Sequence, residues 1–329
     1  MIKLKNKILD FLKNTEEAYI SGQKMSEELG ISRNAVWKHI KTLKEEGYGI
    51  ESITNKGYRL VERADRLSEA EIKPLLNTHF IGQKIIYIDT IDSTNRYAKE
   101  IAESLPEGSL IIAEEQTAGR GRMNRKWQSP KQKGIWMSLI LKPQLPSYRA
   151  PQITQVVAVA LVKALEACGF QSQIKWPNDI IIHKKKVCGI LTEMTGSIEQ
   201  IQHIIIGIGI NANLDEKDFE LGLEDKGTSL RLVGNREVSR AHLLARVLQE
   251  LEKYYFKFLV DDLDEITTAL NEYSALLNQE AKLSIQGKSY VGKVLKINRD
   301  GSLEVEIEGK VQKIISGEVS IQGLYSYVD

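Results

Sequence analysis

Nine residues from Gly119 to Trp127, "GRGRMNRKW", combine two glycines, four cationic side chains and an indole. Glycines without Cβ atoms leave backbone amides open to close approach. Arg120, Arg122, Arg125 and Lys126 can neutralise several phosphate oxygens, or a phosphate and a carboxylate together. Trp127 offers a flat face on which a base can stack. Such a set suits a nucleotide reacting with an acid. Read alone, the arginines equally suit a nucleic-acid patch, and Trp127 equally suits a core. The loop is not a P-loop, and at Gly287-Lys288-Ser289 the earlier glycine position is Lys282. Nor is it the dinucleotide pattern, because Asn124 stands at the third glycine.

The loop follows the strand-like run "SLIIAEEQ", so it lies at a strand's C-terminal end, where open sheets commonly place ligands. Further strand-like runs are "IWMSLILK", "QIKW", "DIIIH", "KVCGILTEM" and "HIIIGIGIN", with a hairpin turning at His183-Lys184-Lys185. "APQITQVVAVALVKALEA" is apolar nearly all round and predicts a helix packed under the sheet. Strands this tightly spaced between 173 and 211 favour an α+β mixed or antiparallel sheet over a Rossmann alternation. Helical pattern returns from Val238 to Leu277. We place this central domain at 66–275. Beyond it, 276–329 alternates short strands with Gly287, Asp300-Gly301 and Gly309, which predicts an SH3-like β-barrel.

Residues 1–65 read differently. Ile8, Leu9 and Leu12 form a helical stripe; Ser21 caps a second helix that Gly30 stops. Ser32 caps a third, with Val36, Ile40 and Leu43 as its apolar stripe, and Asn55-Lys56-Gly57 turns a hairpin. Helix, helix, turn, helix and hairpin make a winged helix-turn-helix, its motif running from about Gln23 to Thr42. Ser32, Arg33, Asn34, Lys38 and Lys41 lie off the stripe, where a recognition helix meets bases and phosphates.

A net charge of +1 over 329 residues means that any nucleic-acid site is a local patch. Cys168 and Cys188 have no metal or redox spacing, and the five histidines form no metal pair, so no protein-bound zinc or iron is expected. The longest apolar run, Val156 to Val162, is far short of a membrane span, which takes roughly 18 residues. The N-terminus is amphipathic rather than a signal peptide, and the expected compartment is the cytoplasm.

Five segments occur in order: "DSTN" (Asp92 to Asn95), "EQTAGRGRMNRKW", "KWPND" (Lys175 to Asp179), "KVCGILTEM" (Lys186 to Met194) and "GIGIN" (Gly207 to Asn211). With these motifs the chain resembles the biotin–protein ligases. With its winged helix it resembles the bifunctional kind that also represses biotin-synthesis genes. The resemblance spans essentially the whole chain. The loop departs from the commonest family version, which carries glycine where Asn124 stands and an aromatic at Gln128.

The resemblance implies a class II aminoacyl-tRNA synthetase-like catalytic domain that activates biotin with ATP to biotinyl-5′-adenylate. Biotin then passes to a lysine of a biotin carboxyl carrier protein. It implies biotin contacts at Ser93, Thr94, Asn95, Gln116, Arg120, Gly121, Arg122, Lys186 and Gly189. Contacts to ATP and the adenylate fall on Arg120, Arg122, Arg125, Trp127 and Asn211, with Lys186 and Arg120 as the catalytic cations. Lys186 is alternatively one solvated lysine of the run 184–186, and Ser93-Thr94 alternatively a plain helix cap. Mg²⁺ is expected to arrive with ATP; Asp179 reads either as its helper or as a turn residue. Bound adenylate would order the loop and favour a homodimer presenting two recognition helices to operator DNA. A lipoate-type ligase and a ligand-sensing regulator without ligase activity are the alternatives; the loop and winged helix favour biotin over lipoate, and Lys186, Arg120 and Trp127 argue against a pure regulator.

Overall fold

The computed structural model describes residues 2–15, 18–220, 226–285, 288–315 and 317–320. The chain divides into two compact units, Met1–Pro74 and Leu75–Asp329.

In the first unit, α1 (Ile2–Asn14), α2 (Gly22–Leu29) and α3 (Arg33–Glu45) precede a hairpin of β1 (Gly49–Ile53) and β2 (Gly57–Glu62). The caps are those the sequence predicts. Ser21 Oγ accepts from Lys24 N, Ser32 Oγ accepts from Ala35 N, and Gly30 ends α2 at φ 64°. Ile8, Leu9, Leu12, Val36, Ile40 and Leu43 are buried together with Met25 and Ile50. Residues 66–74, which the sequence reading places with the central domain, go with this unit. Their short helix α4 (Glu69–Ile72) carries Glu71, which accepts from Tyr48 Oη at 2.6 Å and pairs with Lys13 at 2.7 Å.

The second unit is built on a seven-stranded mixed sheet. Its strands are β3 (Ile85–Ile91), β4 (Leu110–Gln116), β5 (Ile135–Leu141), β6 (Gln173–Lys175), β7 (Asp179–Ile182), β8 (Lys185–Gly196) and β9 (Ile201–Ile210). They lie in the order β3-β4-β5-β9-β8-β7-β6, parallel between β3 and β4 and antiparallel elsewhere. The α5 helix (Thr94–Ile101) packs on one face over Ile111, Ile140 and Ile205. The apolar helix α6 (Ala150–Ala167) lies against β6, β7 and β8 and against the later α8 (Arg240–Leu259), which follows the short α7 (Leu230–Gly234). One ion pair, Arg240 with Glu114 at 2.8 Å, joins α8 to β4 with both side chains wholly buried.

After α9 (Asp264–Glu272) come β10 (Glu280–Ile285), β11 (Lys288–Ile297), β12 (Leu303–Ile307), β13 (Lys310–Ile314) and β14 (Glu318–Ser320). They form an antiparallel sheet in the order β13-β12-β11-β10-β14. Among the described residues this is an open array, so the closure of a barrel is not seen there. The turn expected at Gly287 lies outside the described residues. No described helix is long and apolar enough to cross a membrane.

Candidate functional site

The strand β9, "IQHIIIGIGI", has its glycines at alternate positions. Because neighbours on a strand face opposite ways, Gly207 and Gly209 open one face while Ile206, Ile208 and Ile210 pack the other. Pairing carries this smooth face across the sheet: Gly209 stands opposite Gly189 on β8, and Gly189 opposite Asp179 on β7. A Cβ on Gly207 would run into the Asn95 amide, and one on Gly209 into the Trp127 indole. These glycines therefore let Asn95 and Trp127 lie close against the sheet, where they help line a cavity of about 520 Å³ beside α5.

The segments "DSTN", the glycine-arginine loop, "KWPND" and the strands β8 and β9 all open into this cavity. Ser93, Thr94, Asn95, Gln116, Arg120, Gly121, Arg122, Arg125, Trp127, Asp179, Lys186, Gly189 and Asn211 line it together. Eight cations are among its described lining residues: Arg120, Arg122, Arg125, Lys126, Lys175, Lys186, Lys226 and Lys282. Asp179 is the one acid among them. That balance suits a polyanion.

Lys186 reaches the cavity through an irregularity. The β7–β8 register slips between Ile180 and Ile181, so β8 carries an extra residue and re-aims Lys186. Its Nζ sits 2.7 Å from Asp179 Oδ1 and 5.1 Å from the centre of the Trp127 ring. Asp179 is thus no turn residue; it opens β7.

The loop is a miniature hairpin. Arg120 pairs with Lys126, Gly121 N donates to Arg125 O at 2.7 Å, and Trp127 N donates to Gly119 O at 2.9 Å. Asn124 at its tip has φ 58°, a left-handed conformation that asparagine tolerates better than most residues. Arg122 donates to Asn178 Oδ1 at 3.1 Å and to Gly317 O at 3.4 Å, which ties the loop to the C-terminal sheet.

Ser93 both caps α5, accepting from Arg96 N, and lines the cavity, so the two readings of Ser93-Thr94 are compatible. Gln116 Oε1 accepts from Thr94 N at 2.9 Å and lies 3.0 Å from Thr94 Oγ1. Asn211 donates through its amide to Thr228 O at 3.0 Å, holding the segment that follows β9. Burial pushes the thiol of Cys188 well above the ordinary cysteine range, which keeps it protonated and inert.

Residues 87–211 match the Biotin/lipoate A/B protein ligase family, and residues 5–59 match an HTH domain. Over 320 residues the chain is 41% identical to the bifunctional ligase/repressor BirA of Bacillus spizizenii, covering 97% of this chain and 98% of that protein. The chain belongs to the BirA family of bifunctional ligase/repressors. The BirA of Escherichia coli is 30% identical, with 96% of each chain covered. A biotin protein ligase from Aquifex aeolicus, solved in complex with biotin and ATP, superposes with a TM-score of 0.65 at 28% identity. It covers 73% of this chain and 98% of its own.

Sequence reasoning overlooked several residues that the BirA-family cavity contains. Gly207 and Gly209 were legible only as part of "GIGIN", and their alternation with isoleucine was the signal. Lys175 and Lys282 are separated by 107 positions, and only the fold brings both to the cavity. On α3, Arg33, Asn34, Lys38 and Lys41 are exposed, and Ser32 acts as the cap. Trp37 joins that face with 51% of its surface exposed and the Lys41 ammonium 5.9 Å from its ring. A large apolar residue off the stripe was the signal there.

Proposed function

We propose that the cavity activates biotin with ATP and transfers it to a carrier-protein lysine, while the N-terminal unit represses biotin genes when the adenylate is bound. The observation that carries this reading is the convergence of all five motifs on one cationic cavity.

In the first step a biotin carboxylate oxygen attacks the α-phosphorus of ATP. The bond to the β-phosphate breaks, and pyrophosphate leaves. Two like charges about 4 Å apart repel by about 4 kcal/mol at an effective dielectric near 20. Lys186 and Arg120 offset that repulsion and the charge growing on the phosphoryl oxygens. Thr94, Ser93 and Gln116 hold the ureido ring, while Asn95 and Gly121 flank it. Gly189 lets the ring approach the sheet, while Gly207 and Gly209 seat Asn95 and Trp127 against it. Arg122 and Arg125 take phosphate oxygens, and Trp127 and Asn211 the adenine. In the second step an acceptor lysine amine attacks the acyl carbon and AMP leaves.

Magnesium commonly binds one or two carboxylates plus substrate phosphates. The ion would be held largely by phosphate oxygens and water, where it would offset the phosphate charge, and Asp179, which pairs with Lys186 at 2.7 Å, would help through a water ligand. The loop, once closed over the adenylate, excludes water that would hydrolyse it.

The C-terminal sheet is read as an SH3-like barrel whose strand β10 carries Lys282 to the phosphate end. On α3 the basic face reads the operator, and a homodimer presents two such helices to a palindrome. The ligase works in the cytoplasm on a biotin carboxyl carrier protein. Pyrophosphate release by the full chain given biotin and ATP tests the reading. No release above that with ATP alone would overturn it.

A further inference from the structure

Behind the cavity, on the central strand β5, Ser138 is wholly buried and does not itself line the site. Its Oγ lies 2.8 Å from Thr94 Oγ1 and 2.6 Å from Asn95 Oδ1. A hydroxyl has one proton, so Ser138 cannot donate to both.

The surroundings decide which it serves. Asn95 Nδ2 donates to Glu193 Oε2 at 2.8 Å and faces Leu191 O at 3.4 Å, both acceptors. Lys99 pairs with the same Glu193 carboxylate. The amide is therefore fixed with Oδ1 toward Ser138, and an oxygen 2.6 Å away that has no proton of its own must receive one. Ser138 gives its proton to Asn95, which leaves its lone pairs facing Thr94. On the other side of Thr94, Gln116 Oε1 already accepts the Thr94 backbone N–H at 2.9 Å. The Thr94 hydroxyl has its shorter contact, 2.8 Å, to Ser138 and its longer, 3.0 Å, to Gln116. With the Thr94 proton drawn to Ser138, the Thr94 oxygen turns lone pairs to the cavity.

We propose that Ser138 is a positioning residue that sets the Thr94 hydroxyl as an acceptor, so that the cavity selects a ring N–H donor such as that of a cyclic urea. The inference rests on the reading of Thr94 as a contact to the biotin ring. Without Ser138 the Thr94 proton turns to Gln116 Oε1, 3.0 Å away, and takes the acceptor site that Gln116 otherwise offers the ring's N–H.

The test is steady-state pyrophosphate release by the full chain, with Ser138→Ala, Thr94→Val and the double variant. Ser138→Ala is expected to raise KM for biotin about tenfold, the order of one lost hydrogen bond. KM for ATP and kcat should stay within about twofold. Because Ser138 acts through Thr94, the double variant should be no worse than Thr94→Val alone, a coupling that independent sites do not show. If Thr94→Val leaves KM for biotin unchanged, the reading of the site has failed. If Thr94→Val raises it but the two changes multiply, or if Ser138→Ala shifts KM for ATP and kcat equally, the inference about Ser138 has failed. Should Ser138→Ala not fold, Ser138→Cys, with a weaker donor of similar size, carries the same comparison: a raised biotin KM uncoupled from Thr94→Val would overturn the proposal.

Discussion

Lys186 Nζ lies 2.7 Å from Asp179 Oδ1, so the cation proposed to meet the reacting carboxylate is held by the one acid among the described lining residues. The pair keeps the ammonium on the cavity face while no substrate charge is present. Lys186→Ala is expected to slow adenylate formation by about 10²–10³ without unfolding the chain. Single-turnover adenylation near the wild-type rate would sink the assignment. Asp179→Asn should raise the Mg²⁺ concentration needed for half-maximal rate, read by metal titration.

Gly209 leaves room for the Trp127 indole on the sheet. Gly209→Ala should push the indole away at a cost of about 1–3 kcal/mol, or roughly five- to 150-fold in affinity for the adenylate. Isothermal titration with a non-hydrolysable adenylate analogue measures it, and an unchanged Kd would count against the placement of Trp127.

Arg122 bridges Asn178 and the Gly317 carbonyl, so it latches the loop to the C-terminal sheet. Arg122→Gly should release biotinyl-adenylate into solution faster than it weakens biotin binding. Mass spectrometry of the filtrate during turnover reads the leak directly.

The Arg240–Glu114 pair is wholly buried, and Arg240 also donates to Gly134 O at 3.0 Å while Tyr87 donates to Glu114 at 3.0 Å. Arg240→Met strands a buried carboxylate and should cost about 3–5 kcal/mol of stability. Urea denaturation gives the value. Adding Glu114→Gln should recover part of it, because the charge left behind is then removed.

On α3, charge reversal at Arg33 or Lys38 should abolish operator binding and leave ligation unchanged. Footprints of the wild type should strengthen when biotin and ATP are both present and fade steeply with salt. A footprint indifferent to the two ligands would mean a ligase with a passive DNA tether. A chain starting at Leu75 should ligate and bind no operator.

Some of this protein was written locally. Caps at Ser21, Ser32 and Ser93, the stop at Gly30 and the stripe of Val36, Ile40 and Leu43 depend on residues within a turn or two of each other. The glycine-arginine loop and "GIGIN" likewise carry their chemistry in consecutive residues, and so motif and family were legible without coordinates. What tertiary structure decided was pairing across the sheet. A buried strand such as β9 reads as an apolar run that names no neighbour, because its hydrogen bonds go to whichever backbone lies alongside. Hence the parallel edge strand β3, the meeting of Glu114 with Arg240 and the shared face of Gly189 and Gly209 had no local signal. The same holds for Lys186. Its chemistry depends on one extra residue in β8 opposite Ile180 and Ile181, and a strand's sequence does not say where its partner will slip.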